Sequence, residues 1–408
     1  MKQTACGRDF LSGRALSQLA KELPTPFLLY DEAGLRAAAR QLLAAFSRCS
    51  GYGAYFPVRL CPRAAVLRLL REEGCGAACA SYPELLLAAR CGFAGERLVY
   101  MPLAREEAGE RLALESGAVW LLDGPQVLPA RPPGRALVAL RPEGKTGPDG
   151  KFFASFGRGK FGADLPVAAL LVRQLADLGV GSVGAALTAQ ANELDPDYYP
   201  AAAELLFTSC ARLQEKTGVP LGACCLGDGL GVSFRPEFPE PDAARCAARI
   251  AELAQRILVP AGLGGAALRM VLGRRLCAHG GLYVMRVTAV KPRQRPLVLT
   301  DGSCAMQRGS FLFSGGRRLS APGKRAGKEL LACDAAGASP DERDRFADGC
   351  LLPPLRAGDL LALHDVGADG GFCTAAGPTC AEYLLRTDGT VRLLRPAGTA
   401  EAYAADGL

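Results

Sequence analysis

Between residue 51 and about residue 274, short apolar runs alternate with longer amphipathic ones, and this alternation constrains the fold more than any single motif. "GAYFPV" is followed by "PRAAVLRLLREEG", "CGAACA" by "YPELLLAARCGF", and "RLVYM" by "AREEAGERLALESG". "AVWLLD" and "RALVALRP" come next as two further strand-like runs. Then "LPVAALLVRQLADLG" leads to "VGSVGAAL", "DYYPAAAELLFTSCARLQEKTG" to "LGACCLGDG", and "PDAARCAARIAELAQRILVPAG" to "ALRMVLG". Apolar strands joined by helices of roughly ten to twenty residues indicate a parallel sheet wound by crossovers, since a parallel neighbour cannot be reached by a tight turn. Eight such strands fit a (β/α)8 barrel of the TIM type, with a doubly wound sheet as the alternative.

After about residue 275 the texture changes. "GGLYVMRVTAVKPRQRPLVLTDG", "GDLLALHDVG" and "AEYLLRTDGTVRLLRP" are short strands around turns, the last with a TDG hairpin signal. They predict a separate, mostly antiparallel C-terminal β-domain. "TPFLLYD" (25–31) precedes the first barrel helix and offers that domain one more strand. The expected organisation is a barrel over 31–274, with 1–30 and 275–408 forming the β-domain. A chain of 408 residues is long enough for both.

Several function classes are set aside on composition. No stretch reaches the ~18 uninterrupted apolar residues of a membrane span, and the first residues lack the apolar core of a secretory leader, so a cytoplasmic protein is expected. There are sixteen cysteines but no CxxC, and only His279 and His364 as imidazoles, so no metal site is expected and free, buried thiols are. The net charge of +7 is spread along the chain, and the one basic run, "GRRLSAPGKRAGK" (316–328), is a Gly/Pro-rich loop without aromatics. Nucleic acid is therefore not an expected partner.

Taken in order, the motifs carry a resemblance. "TPFLLYDEAGLRAAARQL", "YFPVRLCPRAAVLRLLREEGCG", "SYPELLLAARCGF", "GRGKFG", "LGDGLGVSFRPE", "VLGRRLCAHGGLYV" and "GDLLALHDVGA" follow one another as in the diaminopimelate decarboxylase family, which this chain resembles from about residue 24 to about residue 405. The resemblance implies a fold-type III barrel that binds pyridoxal phosphate (PLP), a β-domain like that of alanine racemase, and a dimer with active sites at its interface. Relatives include the ornithine and arginine decarboxylases.

The resemblance also says which residues stand at the working positions. The lysine that forms the Schiff base with PLP is replaced by Arg59 of "YFPVRLCP". A guanidinium stays protonated and delocalised and does not condense with an aldehyde. A shift of register finds no substitute, because no lysine lies between Lys21 and Lys145. The histidine that packs on the cofactor ring is Ala186 of "GAALTAQAN", and the glutamate that pairs with the ring nitrogen is Val271 of "VLGR". The phosphate-cradling loop reads Gly227-Asp228-Gly229-Leu230-Gly231, which places a carboxylate where a dianion would sit. Counting back from "CLLPPLRAGDLL" puts Pro340 at the catalytic cysteine and Asp341 at the following glutamate; Cys333 with Asp334 is the alternative if a gap intervenes. Asp369 stands at a cofactor-contacting aromatic or histidine position. Arg274 and Arg308 keep positions that bind substrate carboxylates in the family, although arginine outnumbers lysine 39 to 9 throughout.

Three readings follow. The first is a catalytically inactive paralogue, with PLP held non-covalently or not at all, that acts through a homodimer, a heterodimer with an active homologue, or a small anionic or amino-acid ligand. The second is an active PLP-dependent decarboxylase of diaminopimelate or a related amino acid, in lysine biosynthesis, with Lys145, Lys151 or Lys160 as a relocated amine. The third is a cofactor-free barrel in which Asp228, Asp369 and Arg59 form an acid/base cluster.

Overall fold

The computed structural model describes residues 9–141, 160–188, 190–227, 229–235, 237–304, 316–324, 329–368, 379–399 and 401. These residues form two compact units. One is Arg36–Val232 with Glu240–Leu276; the other is Met1–Leu35, Ser233–Pro239 and Cys277–Leu408. The chain begins with helix α1 (Gly13–Glu22), strand β1 (Phe27–Asp31) and helix α2 (Glu32–Ala45). Ser12 caps α1 by accepting from the Ala15 N–H, and the Asp31 carboxylate accepts the Ala33 and Gly34 N–H groups that open α2.

The first unit is a closed barrel of eight parallel strands. In order they are β2 (Gly53–Pro57), β3 (Gly76–Cys79), β4 (Leu98–Tyr100), β5 (Val119–Leu122), β6 (Arg135–Leu140), β7 (Ser182–Thr188), β8 (Leu221–Gly227) and β9 (Ala267–Val271). Pairing of Tyr55 with Val271 and of Gly53 with Arg269 closes β9 onto β2. Helices α3 (Ala64–Glu72), α4 (Tyr82–Arg90), α5 (Glu107–Glu115), α6 (Leu165–Asp177), α7 (Tyr198–Thr217) and α8 (Ala243–Ile257) connect the strands. A one-turn segment, Pro125–Val127, replaces a helix between β5 and β6. Buried on both faces, β3, β4 and β5 are apolar at every position.

The barrel interior is filled by Tyr55, Val99, Val119, Leu121 and Leu137, together with the small residues Ala78, Ala139, Ala186, Ala223 and Cys225. Its N-terminal end carries a buried charge. Arg269 lies with its guanidinium carbon 5.9 Å from the Tyr55 ring centre and reaches Glu96 at 3.4 Å. Glu96 also pairs with Arg135 at 2.9 Å, and its carbonyl accepts the Tyr55 hydroxyl at 2.6 Å. These contacts close the floor and leave the opposite end, where all eight strands finish, as the mouth.

The other unit follows α9 (Arg274–Cys277) and contains β10 (Gly281–Lys291), β11 (Leu297–Thr300), β12 (Leu319–Ser320), β13 (Leu331–Ala336), β14 (Arg345–Leu352), β15 (Leu360–His364), β16 (Ala381–Leu385) and β17 (Val391–Arg395). The sheet runs β14-β13-β11-β10-β1-β16-β17, with β15 pairing both β10 and β12. It is mixed rather than purely antiparallel, because β1 runs parallel to β16 and β11 parallel to β13. Alternation along β10 divides two cores: Tyr283, Met285 and Val287 pack with Leu28, Phe346 and Leu361, whereas Leu282 and Val284 pack with Phe27, Leu29 and the α1 residues Leu16 and Ala20. Among the described residues, no helix is long and apolar enough to cross a membrane, and the fourteen cysteines are all free thiols.

Candidate functional site at the barrel mouth

Four consecutive strands of the barrel, β7, β8, β9 and β2, carry most of the expected positions on one arc of the mouth. β2 ends at Pro57 and runs into a single tight turn, Val58–Leu60, so Arg59 follows the strand end by two residues and is half-buried. Among the described residues, Arg59 has no hydrogen-bond or ion-pair partner. Ala186 lies two residues below the end of β7, between Ala139 and Cys225, with its methyl group in the interior cluster. Val271 ends β9 and pairs with both Tyr55 and Gly227. Gly273 draws the ends of β9 and β2 together: a β-carbon there would lie 2.1 Å from Leu60 Cδ1, and the Leu272 N–H donates to the Tyr55 carbonyl at 2.8 Å.

The glycine loop after β8 is built against the loop after β7. Gly229 has φ +145° and sits on the Tyr199 ring, with room for a hydrogen but not for a methyl group. The Gly231 N–H donates to the Glu193 carbonyl at 2.9 Å and is therefore already committed. Asn192, itself at φ 58°, brackets Val232: its Oδ1 accepts the Val232 N–H at 3.0 Å and its Nδ2 donates to the Val232 carbonyl at 3.1 Å. Arg275 reaches the Gly231 carbonyl at 3.5 Å while paired to Glu240 at 2.6 Å. Asn192, Tyr199 and Arg275 thus organise the loop and were not among the expected site residues. An asparagine ending "TAQAN" was the available signal, since Asn is among the few residues that take a left-handed backbone. Arg274 opens α9 and is half-buried.

The remaining positions are placed elsewhere or lie outside the described residues. Pro340 is exposed between β13 and β14 in the other unit. Asp341 beside it binds Arg343 at 2.7 Å, which holds its carboxyl down at about 2. In the alternative alignment, Cys333 is buried on β13 with its sulfur 3.8 Å from that of Cys350, and Asp334 pairs with Arg295 at 2.6 Å. Asp228, Asp369, Arg308, Lys145 and Lys151 lie outside the described residues. Lys160 is exposed, just before the short pairing of Ala163 with Leu140 at the end of β6. Its neighbour Phe161 packs against the interior cluster.

A closed parallel barrel with a glycine-rich arc at its C-terminal end, joined to a mixed β-sheet unit, defines a barrel class whose ligands bind where the strands finish. A family model described as "Pyridoxal-dependent decarboxylase, pyridoxal binding domain" matches residues 33–268. The chain belongs to this family of pyridoxal-dependent decarboxylases. It is 31% identical to Protein TabA of Pseudomonas amygdali pv. tabaci, over 94% of this chain and 91% of that one. It is 27% identical to the diaminopimelate decarboxylase of Methanothermobacter thermautotrophicus, over 95% of this chain and 93% of that one. The crystal structure of the M. jannaschii diaminopimelate decarboxylase with L-lysine superposes with a TM-score of 0.89 at 19% identity, covering 100% of this chain and 97% of that one, and so shares the fold.

Proposed function

We propose that this protein keeps the decarboxylase scaffold without the family's covalent cofactor chemistry, and acts through dimerisation or by holding a small anionic or amino-acid ligand. The observation that carries this reading is Arg59 at the end of β2, where the resemblance calls for a reactive amine. The donor set around it does not fit covalently held PLP. Arg59 is a permanent cation, Ala186 offers a methyl group where a ring should stack, and Val271 has no carboxylate for a ring nitrogen. The Gly231 N–H, one of the loop donors suited to a phosphate, is spent on Glu193. Residues that act as a unit are strongly non-additive, so once the amine is gone the other positions lose their selective value together.

A second reading, an active decarboxylase with a relocated lysine, draws on Lys160, whose neighbour Phe161 reaches the interior cluster at the mouth, and on the kinship with diaminopimelate decarboxylases. An assay of CO2 release decides between them. The purified protein is supplied with PLP and with diaminopimelate, lysine, ornithine or arginine. The proposal expects the rate of free PLP in buffer, and turnover on the order of 1 s⁻¹ or faster, ordinary for enzymes, would overturn it.

A further inference from the structure

Two thiols stand side by side where the β-domain sheet ends. Cys333 on β13 lies directly opposite Cys350 on the antiparallel strand β14, and their sulfurs are 3.8 Å apart. Opposite residues of an antiparallel pair have Cα atoms about 4.5–5.5 Å apart, within the roughly 4.4–6.8 Å that a disulfide spans. From 3.8 Å the sulfurs need to close by about 1.8 Å to reach the ~2.05 Å of an S–S bond. Side-chain rotation supplies that distance while the strands stay in register.

The backbone holds the two residues in this register through a bulge. Next to the Cys333–Cys350 pair, Asp348 and Gly349 of β14 face the single residue Asp334 of β13. Gly349 takes φ +77°, a left-handed conformation that suits glycine and is typical of such a bulge. The Asp334 carboxylate accepts the Gly349 N–H at 2.9 Å and pairs with Arg295 at 2.6 Å, which pins the bulge. The Cys350 thiol donates to the Cys333 carbonyl at 3.2 Å, so its sulfur is turned toward the facing strand.

Access comes from one side. Cys333 is 5% exposed and packs in the sheet core, whereas Cys350 is half-buried and lines a cleft of about 630 Å³, ample for a molecule the size of a peroxide. β14 is the terminal strand of the sheet, and among the described residues it pairs with β13 alone. A covalent link at this point therefore ties down a strand held on one side only.

We propose that Cys333 and Cys350 form a site of reversible oxidation, which a hydroperoxide converts into a cross-strand disulfide between β13 and β14. One sulfur loses its proton and attacks a peroxide oxygen. The O–O bond breaks, and the other oxygen leaves with a proton as an alcohol, or as water from hydrogen peroxide. The second sulfur then gives up its proton and attacks the sulfenic sulfur, whose oxygen leaves as water. Two electrons pass from the pair of thiols to the peroxide, and a dithiol reverses the change by exchange. The proposal concerns the β-domain unit alone and does not rest on the reading of the barrel given above.

The sequence makes the product easy to identify. Trypsin cuts after Arg343 and Arg345, which leaves Cys333 and Cys350 on separate peptides with no other cysteine on either. The reduced full-length protein is treated with hydrogen peroxide, its remaining thiols are blocked with iodoacetamide, and it is digested without reductant. The expected product is a linked pair of these two peptides, two hydrogens lighter than their sum and separated by dithiothreitol. Cys350→Ser should remove the link without driving Cys333 to another cysteine. In the oxidised protein, amide exchange across Arg345–Leu352 should slow several-fold. The proposal is overturned if peroxide leaves both thiols open to iodoacetamide, if Cys350 links as often to another cysteine, if peroxide carries either sulfur to the sulfinic acid without forming the link, or if amide exchange in β14 is the same before and after oxidation.

Discussion

Nη2 of Arg318 lies 2.7 Å from Nδ1 of His364. A guanidinium can only donate, so Nδ1 carries the lone pair and the ring proton sits on Nε2, which donates to Ser320 Oγ at 2.7 Å. His364 therefore cannot deprotonate Ser320, and the pair is structural. Burial first and the Arg318 charge second push His364 down to about 4 from its ordinary 6.5, against the opposing pull of Asp9 and Asp365. Between those values the unfolded chain binds more protons than the folded one, so stability rises with pH across the window. The contribution is complete above about 6.5 and is lost as pH falls toward 4, on the order of 3 kcal/mol in all. Urea unfolding of the parent and of His364→Gln at pH 7 and pH 4.5 should show the parent losing about 2 kcal/mol more than the variant. Equal losses would contradict the assigned tautomer and its burial.

The floor of the barrel makes a second prediction. Arg269 is buried; among the described residues its Nη1 has no partner, and the one carboxylate it pairs with, Glu96, is half-exposed and shared with Arg135. Replacing a poorly compensated buried ion by an apolar side chain of similar length is often neutral or stabilising. Arg269→Met should therefore change unfolding free energy by no more than about 1 kcal/mol, whereas a loss of about 3 kcal/mol would show that the Glu96 and Tyr55 contacts hold the barrel shut.

The glycine loop makes a third. Gly229→Ala forces a methyl group into the Tyr199 hydroxyl at a backbone angle that L-residues rarely take, and should cost roughly 2–4 kcal/mol. Gly218→Ala, also at positive φ but with open space around it, should cost about 1 kcal/mol. Thermal melts of the two variants side by side check the ranking, which reverses if the loop is free to move off Tyr199.

Much of the barrel was readable because a parallel strand buried on both faces is a continuous apolar run. "AVWLLD", "RALVALRP" and "ALRMVLG" each contain the strand found there, β5, β6 and β9. The β-domain was less readable. Its strands are visible, but whether β1 runs parallel to β16 depends on partners some 350 residues away in sequence, which local pattern does not encode. "GRALSQLAKE" looks polar on its own and becomes helix α1 by placing Leu16 and Ala20 on the sheet. At the mouth, residue types were legible and their working contacts were not. Nothing local marks Tyr199 as the floor beneath Gly229, or the Glu193 carbonyl as the acceptor for the Gly231 N–H.

Restoring one position separates attachment from chemistry. On the proposed reading, Arg59→Lys returns an amine to the end of β2, while Val271, assigned by the resemblance to the ring-nitrogen glutamate, has no carboxylate. The variant is expected to gain a covalent bond to PLP at residue 59, trapped by borohydride, with decarboxylation still at least about a hundredfold below ordinary enzyme turnover. Full activity from this single change would mean that Val271 and Ala186 are not the positions the resemblance assigns.

The central claim is that the native chain does not join PLP covalently. The purified protein is mixed with PLP, its visible spectrum is recorded before and after borohydride reduction, and tryptic peptides are searched for a pyridoxyl-lysine. The account predicts the spectrum of free PLP and no modified peptide. An absorption band that reduction fixes onto one lysine, with Lys145, Lys151 and Lys160 the first to inspect, would contradict it and identify a relocated active-site amine.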